Sequence, residues 1–207
     1  MIKNKKLCFV CRITGVLFIL IFTSSCSITN YYFENSEMRT GLNLTTGKWI
    51  LKEVVAPNEI KQKLSQLAKD DFSKILDSRF SLAKDVKEFL ITPGIDLNKS
   101  PSELAKINKT TGYNYLIDIR AKVIKNEFNA VDFTNHKFKK DLKEKKILVE
   151  LNVYDLDNQF LVYSKKAIAI SKLKQDNDDI NFSSSINTMI LGAYKKIMKD
   201  INKKSIK

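Results

Sequence analysis

Cysteine placement constrains this chain more than any other feature. Its 207 residues contain three cysteines, Cys8, Cys11 and Cys26, and none follows Cys26. No disulfide can close within the long segment after Cys26, so whatever folds there is held by its apolar core. The length and a hydrophobic share of 43% suffice for one such core. Cys8 and Cys11 have the spacing of a redox or zinc pair, but they lie in an apolar run ahead of any folded element, where the spacing is incidental.

That run has three zones. Met1-Ile2-Lys3-Asn4-Lys5-Lys6 is cationic, a stretch ending in Ile13 to Phe22 is apolar, and the small residues Thr23-Ser24-Ser25 precede Cys26. This is the grammar of a cleaved export signal. The uninterrupted apolar part after Arg12 is about half the ~20 residues that a stable helical span requires, so a permanent transmembrane helix is the weaker reading. Ser24-Ser25-Cys26 resembles the lipobox of bacterial lipoproteins, with Thr23 in place of the usual Leu and bulk supplied by Ile21 and Phe22. The resemblance implies that residues 1–25 are removed and that Cys26 is the lipidation site, its thiol bearing diacylglycerol and its new amino terminus an acyl group. At about 0.8 kcal/mol per buried methylene, two or three acyl chains hold a protein at a membrane almost permanently. The expected location is therefore the cell envelope, lipid-anchored, with Ser27 compatible with outer-membrane sorting.

Four of the cations behind the net charge of +13, Lys3, Lys5, Lys6 and Arg12, precede Cys26 with no acidic residue among them, leaving 13 − 4 = +9 for the rest. The excess is mostly lysine, with four arginines in the chain (Arg12, Arg39, Arg79, Arg120). Bidentate reading of phosphates and bases favours arginine, and export separates the protein from nucleic acid, so no nucleic-acid partner is expected.

Beyond the anchor, Ser27 to Gly47 lacks sustained periodicity and reads as a tether with a reach of roughly 25 Å. Tyr31, Tyr32 and Phe33 suit either a membrane interface or packing on the domain. Trp49 to Val55 reads as a strand ending at Ala56-Pro57. After Asn58 as cap, Ile60, Leu64, Leu67, Ala68, Phe72, Ile75 and Leu76 recur at helical steps. Phe80-Ser81-Leu82 and Phe89-Leu90-Ile91 are candidate short strands. Ser100-Pro101-Ser102-Glu103 is a helix start, and Gly112 suits that helix's end. Strict alternation over Tyr115 to Val123 and again over Ile147 to Val153 predicts half-buried strands. Asp155-Leu156-Asp157-Asn158-Gln159 then turns the chain into a third strand, Phe160 to Ile170, which Lys165-Lys166 interrupts as if at a bulge or an edge. A helix from about Ser184 carries Ile186, Met189, Ile190, Ala193, Ile197 and Ile201 on one stripe. Hairpin-joined late strands rule out a sequential crossover pattern. The expected fold is α/β (α+β), a single mixed sheet with about three helices packed mainly on one face. Its organisation is residues 1–25 signal, 26–47 lipidated cysteine and tether, and 48–207 domain.

The segment from Leu104-Ala105-Lys106 through Thr111-Gly112-Tyr113-Asn114-Tyr115-Leu116-Ile117, followed by Val149 to Asn158 and Leu161-Val162-Tyr163-Ser164, resembles a recurring periplasmic module. It is similar to the α/β domain of curli-secretion-channel and penicillin-binding-protein-activator lipoproteins and to the amino-terminal domain of the Tol-system translocation protein B. The resemblance implies a non-enzymatic accessory role through an envelope protein partner or self-association. No pair of long alternating hairpins suited to a transmembrane barrel is visible in the sequence, so channel formation is not part of the expectation.

Little chemistry competes with a binding role. A single histidine, His136, allows neither a two-histidine metal site nor a serine–histidine relay. The six glycines form no phosphate-binding loop. Asp176, Asp178 and Asp179 lack the central glycine and closing glutamate of a calcium loop. No catalytic residue, metal or cofactor is expected. The rival from another class is a small carboxylate-dependent hydrolase acting on a cell-wall polymer, which would need two converging carboxylates. The densest charge cluster, Lys137, Lys139, Lys140, Lys143, Lys145 and Lys146, is either a solvated loop or a contact for anionic lipid or glycan.

Overall fold

A computed structural model describes residues 29–34, 41–87, 101–126, 143–173 and 184–207. The expected helices form where apolar side chains recur every turn. Helix α1 (Asn58–Leu76) buries Ile60, Leu64, Ala68, Phe72 and Leu76, one residue per turn along a single stripe. Its N-cap is Pro57 rather than Asn58, which is already helical, and no side chain caps it. Helix α2 (Pro101–Thr111) buries Leu104 and Ile107 and stops at Gly112, whose positive φ of 69° suits a residue without Cβ. Helix α3 (Ile186–Lys204) starts at Ser185, whose side chain accepts a hydrogen bond from the Thr188 amide at 3.1 Å.

One six-stranded mixed sheet runs β1-β6-β5-β4-β2-β3. Strands β2 (Trp49–Leu51), β3 (Phe80–Leu82) and β4 (Tyr115–Asn126) are mutually parallel where they pair, whereas β4, β5 (Lys143–Asp155), β6 (Phe160–Leu173) and β1 (Thr29–Phe33) follow one another antiparallel. The single mixed sheet is as expected. Strand β2 is shorter than the Trp49 to Val55 reading, but Lys52 and Val55 still donate to the carbonyls of Ile117 and Ile119. Phe89 to Ile91 lies outside the described residues.

Side chains alternate across the sheet and sort into two cores. Trp49, Leu51, Ile117, Ile119, Leu151, Val153 and Tyr163 face α1 and α3, while Ile50, Leu116 and Tyr154 face α2 with Leu104 and Ile107. Two helices cover one face and the third covers part of the other.

The stretch read as a tether is corrected. Thr29–Phe33 forms the edge strand β1 along β6, and Leu42 and Leu44 are buried in the larger core. Five alternating residues are too few to announce a strand. Partners from far along the chain make it one. The Lys196 ammonium donates to the Tyr31 carbonyl at 2.7 Å, and the Phe33 ring lies 5.4 and 5.2 Å from the ammoniums of Lys165 and Lys196. Gly192 makes room for Tyr31, since a Cβ there would sit 2.4 Å from the tyrosine hydroxyl. Tyr31 and Phe33 thus pack on the domain, whereas Tyr32 points to the other side and is exposed. The next segment is tied down as well. Leu44 donates to the Ile206 carbonyl at 2.9 Å, and Arg79 donates to the Leu44 carbonyl at 2.7 Å.

A second correction concerns Lys165-Lys166. Strand β6 is interior, between β5 and β1, and the register shift of the β5–β6 pair falls at Val153/Tyr154, not at the lysines. Lys165 is buried and faces Asp200 of α3 at 3.9 Å, and Asp200 is also 2.7 Å from Lys204. A strand position that looked like a polar interruption is a buried ion pair.

Candidate functional site: the open face of the sheet

The strand registers lay out the face opposite α1 and α3 as a series of rows. Nearest α2 stand Ile50, Leu116 and Tyr154. Next come Asp118, Asn152 and Ser164, then Arg120, Glu150 and Lys166, with Val55 bridged to Arg120. Beyond them lies the row Lys122, Leu148, Ile168 and Tyr32, and then Lys125, Lys146, Ile170 and Asn30. Among the described residues, α2 is the only α-helix on this face, joined there by the single 3-10 turn Ala83–Asp85.

The charged rows are internally paired. Arg120 Nε donates to Asp118 Oδ2 at 2.7 Å, Asn152 Nδ2 donates to Glu150 Oε1 at 3.1 Å, and Lys166 lies 3.8 Å from Glu34. Burial works against the Arg120 charge, but Asp118, with smaller help from Tyr154 and Glu150, outweighs it and holds the guanidinium above its usual pKa. Asp118 is fully buried, and its second oxygen, like Asn152 Oδ1, finds no partner among the described residues. The apolar row contrasts with this network. In that row Ile168 is buried and Tyr32 is 40% exposed, and Val55, beside Arg120, is 53% exposed.

These pairings bear on the carboxylate chemistry a hydrolase would need. Asp118 is neutralised by an arginine and Glu150 is held by an asparagine amide. Asp155 accepts from the backbone and side chain of Asn158 at 2.8 and 3.0 Å, shaping the β5–β6 turn. Asp157 accepts from Asn108 at 2.7 Å and Asn114 at 2.8 Å, pinning that turn to the end of α2. Each of these four carboxylates has a structural task. Among the described residues, no three His, Cys, Asp or Glu side chains gather as metal ligands, and no helix is long and apolar enough to cross a membrane.

Of the expected site residues, Cys26, Lys137, Lys139 and Lys140 lie outside the described residues, as do His136, Asp176, Asp178 and Asp179. Lys143 opens β5, and Lys145 and Lys146 follow on it. Consecutive strand residues point to opposite faces, so these last two do not share a surface. Lys146 belongs to the open face. Lys145 points to the α3 side, where it donates to the Ser184 carbonyl at 3.3 Å, and burial lowers its pKa. Lys122 and Lys125, two lysines that the sequence reading left out, stand with Lys146 because β4 pairs with β5. Alternation along β4 is a signal for Lys122 alone; Lys125 reaches the same face because the register shifts between Val123 and Lys125.

No protein-family model and no curated protein matches the chain. Solved structures with a similar arrangement include the PelC dodecamer from Paraburkholderia phytofirmans, at 9% identity and TM-score 0.44, covering 87% of this chain and 100% of that one. Lipoprotein GNA1162 from Neisseria meningitidis aligns at 14% identity and TM-score 0.39, covering 74% and 99%. The LpoB carboxy-terminal domain from Escherichia coli, a penicillin-binding-protein activator lipoprotein, aligns at 12% identity and TM-score 0.35, covering 68% and 88%. Identities this low give no residue correspondence to carry across.

Proposed function

We propose that this chain is an envelope lipoprotein, anchored through acylated Cys26, that acts as a non-enzymatic accessory or assembly factor by binding a protein on the open face of its sheet. The observation that carries this reading is the row Tyr32–Ile168–Leu148, an apolar strip flanked by the Arg120–Glu150–Lys166 row on one side and by Lys125 and Lys146 on the other. An apolar centre with a charged border is the composition of a protein-binding patch. The sheet edge at β1 begins three residues after Cys26, so acylation there would bring this face within reach of proteins at the same membrane.

The test combines anchoring and capture. In cells, Cys26→Ala leaves the membrane fraction or persists as an uncleaved precursor. A photocrosslinking residue at position 148 of the anchored protein captures a defined envelope protein or a second copy of the chain, and the same residue at Lys63 on the exposed side of α1 does not. No capture at position 148, together with cleavage of a cell-wall polymer by the purified protein, would replace this reading with the hydrolase.

A further inference from the structure

The end of the sheet nearest Cys26 is not neutral ground. Strand β1 starts at Thr29, opposite Ser171 near the end of β6, and Thr29 Oγ1 lies 2.8 Å from Ser184 Oγ just before α3. Three residues span at most about 10 Å, so an anchored Cys26 holds this end of the domain at the headgroup layer. At the same end β4 closes with Lys122-Val123-Ile124-Lys125, all four exposed, and the register shifts between Val123 and Lys125, so that Ile124 bulges out of the ladder. Val123 is 37% exposed and Ile124 48%. Lys125 and Asn30 occupy one row three strand spacings apart, about 14 Å. On the open face Lys146 and Lys172 join Lys122 and Lys125, and Glu144 pairs opposite Lys172.

We infer that the Lys122–Lys125 bulge is a second membrane contact, in which Val123 and Ile124 enter the interface while the neighbouring lysines meet anionic headgroups, so that the lipid-anchored domain stands on this end with a fixed orientation. The inference rests on the anchor reading, because it takes the position of the membrane from Cys26. Its chemistry is that of interfacial segments, where apolar insertion and lysine attraction to anionic lipid add together. The opposite end, at the β5–β6 turn, carries Asp155 and Asp157 and faces away from the membrane.

The test attaches the membrane independently of cellular acylation. The chain from Cys26 onward is coupled through its only thiol to maleimide-headgroup lipid in vesicles of phosphatidylglycerol or phosphatidylcholine, and tryptophan is introduced at one end or the other as Ile124→Trp or Phe160→Trp. The native Trp49 is fully buried and supplies a constant background. In phosphatidylglycerol vesicles carrying brominated chains, emission from position 124 shifts to the blue and is quenched, while emission from position 160 is unchanged. For the uncoupled Cys26→Ala chain, each of Lys122→Glu and Lys125→Glu weakens partitioning onto phosphatidylglycerol by about fivefold or more, as expected near 1 kcal/mol per lysine. Equal quenching at the two ends, or none at position 124 in coupled protein, overturns the inference and leaves the anchor reading standing. Failure of the anchor reading shows instead in the cellular fractionation of Cys26→Ala, which the coupled system bypasses.

Discussion

The two faces of this sheet are built from the same strands, and they are used differently. On the face under α1 and α3, apolar side chains from all six strands pack with Phe72, Tyr194, Ile197 and their neighbours, those of β2, β4, β5 and β6 being buried. On the other, α2 covers one end and the remainder alternates charged pairs with an apolar strip. The first face gains its stability from removing apolar area from water. The second uses residues that contribute little there, such as exposed Tyr32 and Val55, and the rest of the chain's physics does not require them to be apolar.

Substitutions can break that comparison in order of size. Phe72→Ala on the covered face removes a fully buried ring packed on Phe80 at 6.2 Å between centroids, and should cost about 3–5 kcal/mol in denaturant unfolding. Asp200→Asn leaves Lys165 and Lys204 without their shared carboxylate, and because Lys165 is buried the loss should be about 2–3 kcal/mol by the same measurement.

Alkaline titration separates the faces by another route. Burial first, and then the carboxylates of Asp200 and Asp71, raise the pKa values of Tyr163 and Tyr194 well above the ordinary phenol value. A raised folded-state pKa means that this contribution is intact below the pH at which tyrosine ionises in the unfolded chain. It declines as pH climbs from about 10 toward the folded values. Tyr194→Phe should therefore move the midpoint of base-induced unfolding upward, as read by circular dichroism against pH.

Gly192→Ala gives a smaller effect with a local signature. Alanine favours the helix by about 1 kcal/mol, but its Cβ occupies the place of the Tyr31 hydroxyl, so amide exchange in Thr29–Phe33 should accelerate while exchange in α1 does not change. Combining it with Tyr31→Ala should give coupling in a double-mutant cycle. The smallest expected change is at Tyr32→Ala, within about 0.5 kcal/mol of the parent in stability because the side chain is exposed. Its effect should appear instead as weaker partner capture from position 148. A large stability loss there would show that the open face is part of the core.

The elements with strong periodicity were legible from residues alone. The turn-by-turn spacing in α1, the alternation in β4 and β5 and the Asp-Asn turn before β6 each carry their signal within a dozen neighbouring residues, and the mixed sheet follows from their order. What failed locally was decided at a distance. Strand β1 is five residues long and takes its partner from β6, its packing space from Gly192 and its polar contacts from Lys165 and Lys196, none of them near it in sequence. Lys165 looked like an interruption because its carboxylate stands on α3, and the six-lysine cluster looked like one surface because charge counting ignores the side-to-side alternation of a strand. The sequence by itself determined the cationic and apolar run that ends at Cys26, the absence of internal disulfides after Cys26, the two-sided patterning of the central strands and the amphipathic stripes of the helices. All of these are properties of neighbours along the chain. Only the tertiary structure decided that the fold begins within three residues of Cys26, that Lys122 and Lys125 stand beside Lys146, and that one face of the sheet is left largely open among the described residues. Those outcomes depend on which distant segments compete for the same edge and the same apolar area.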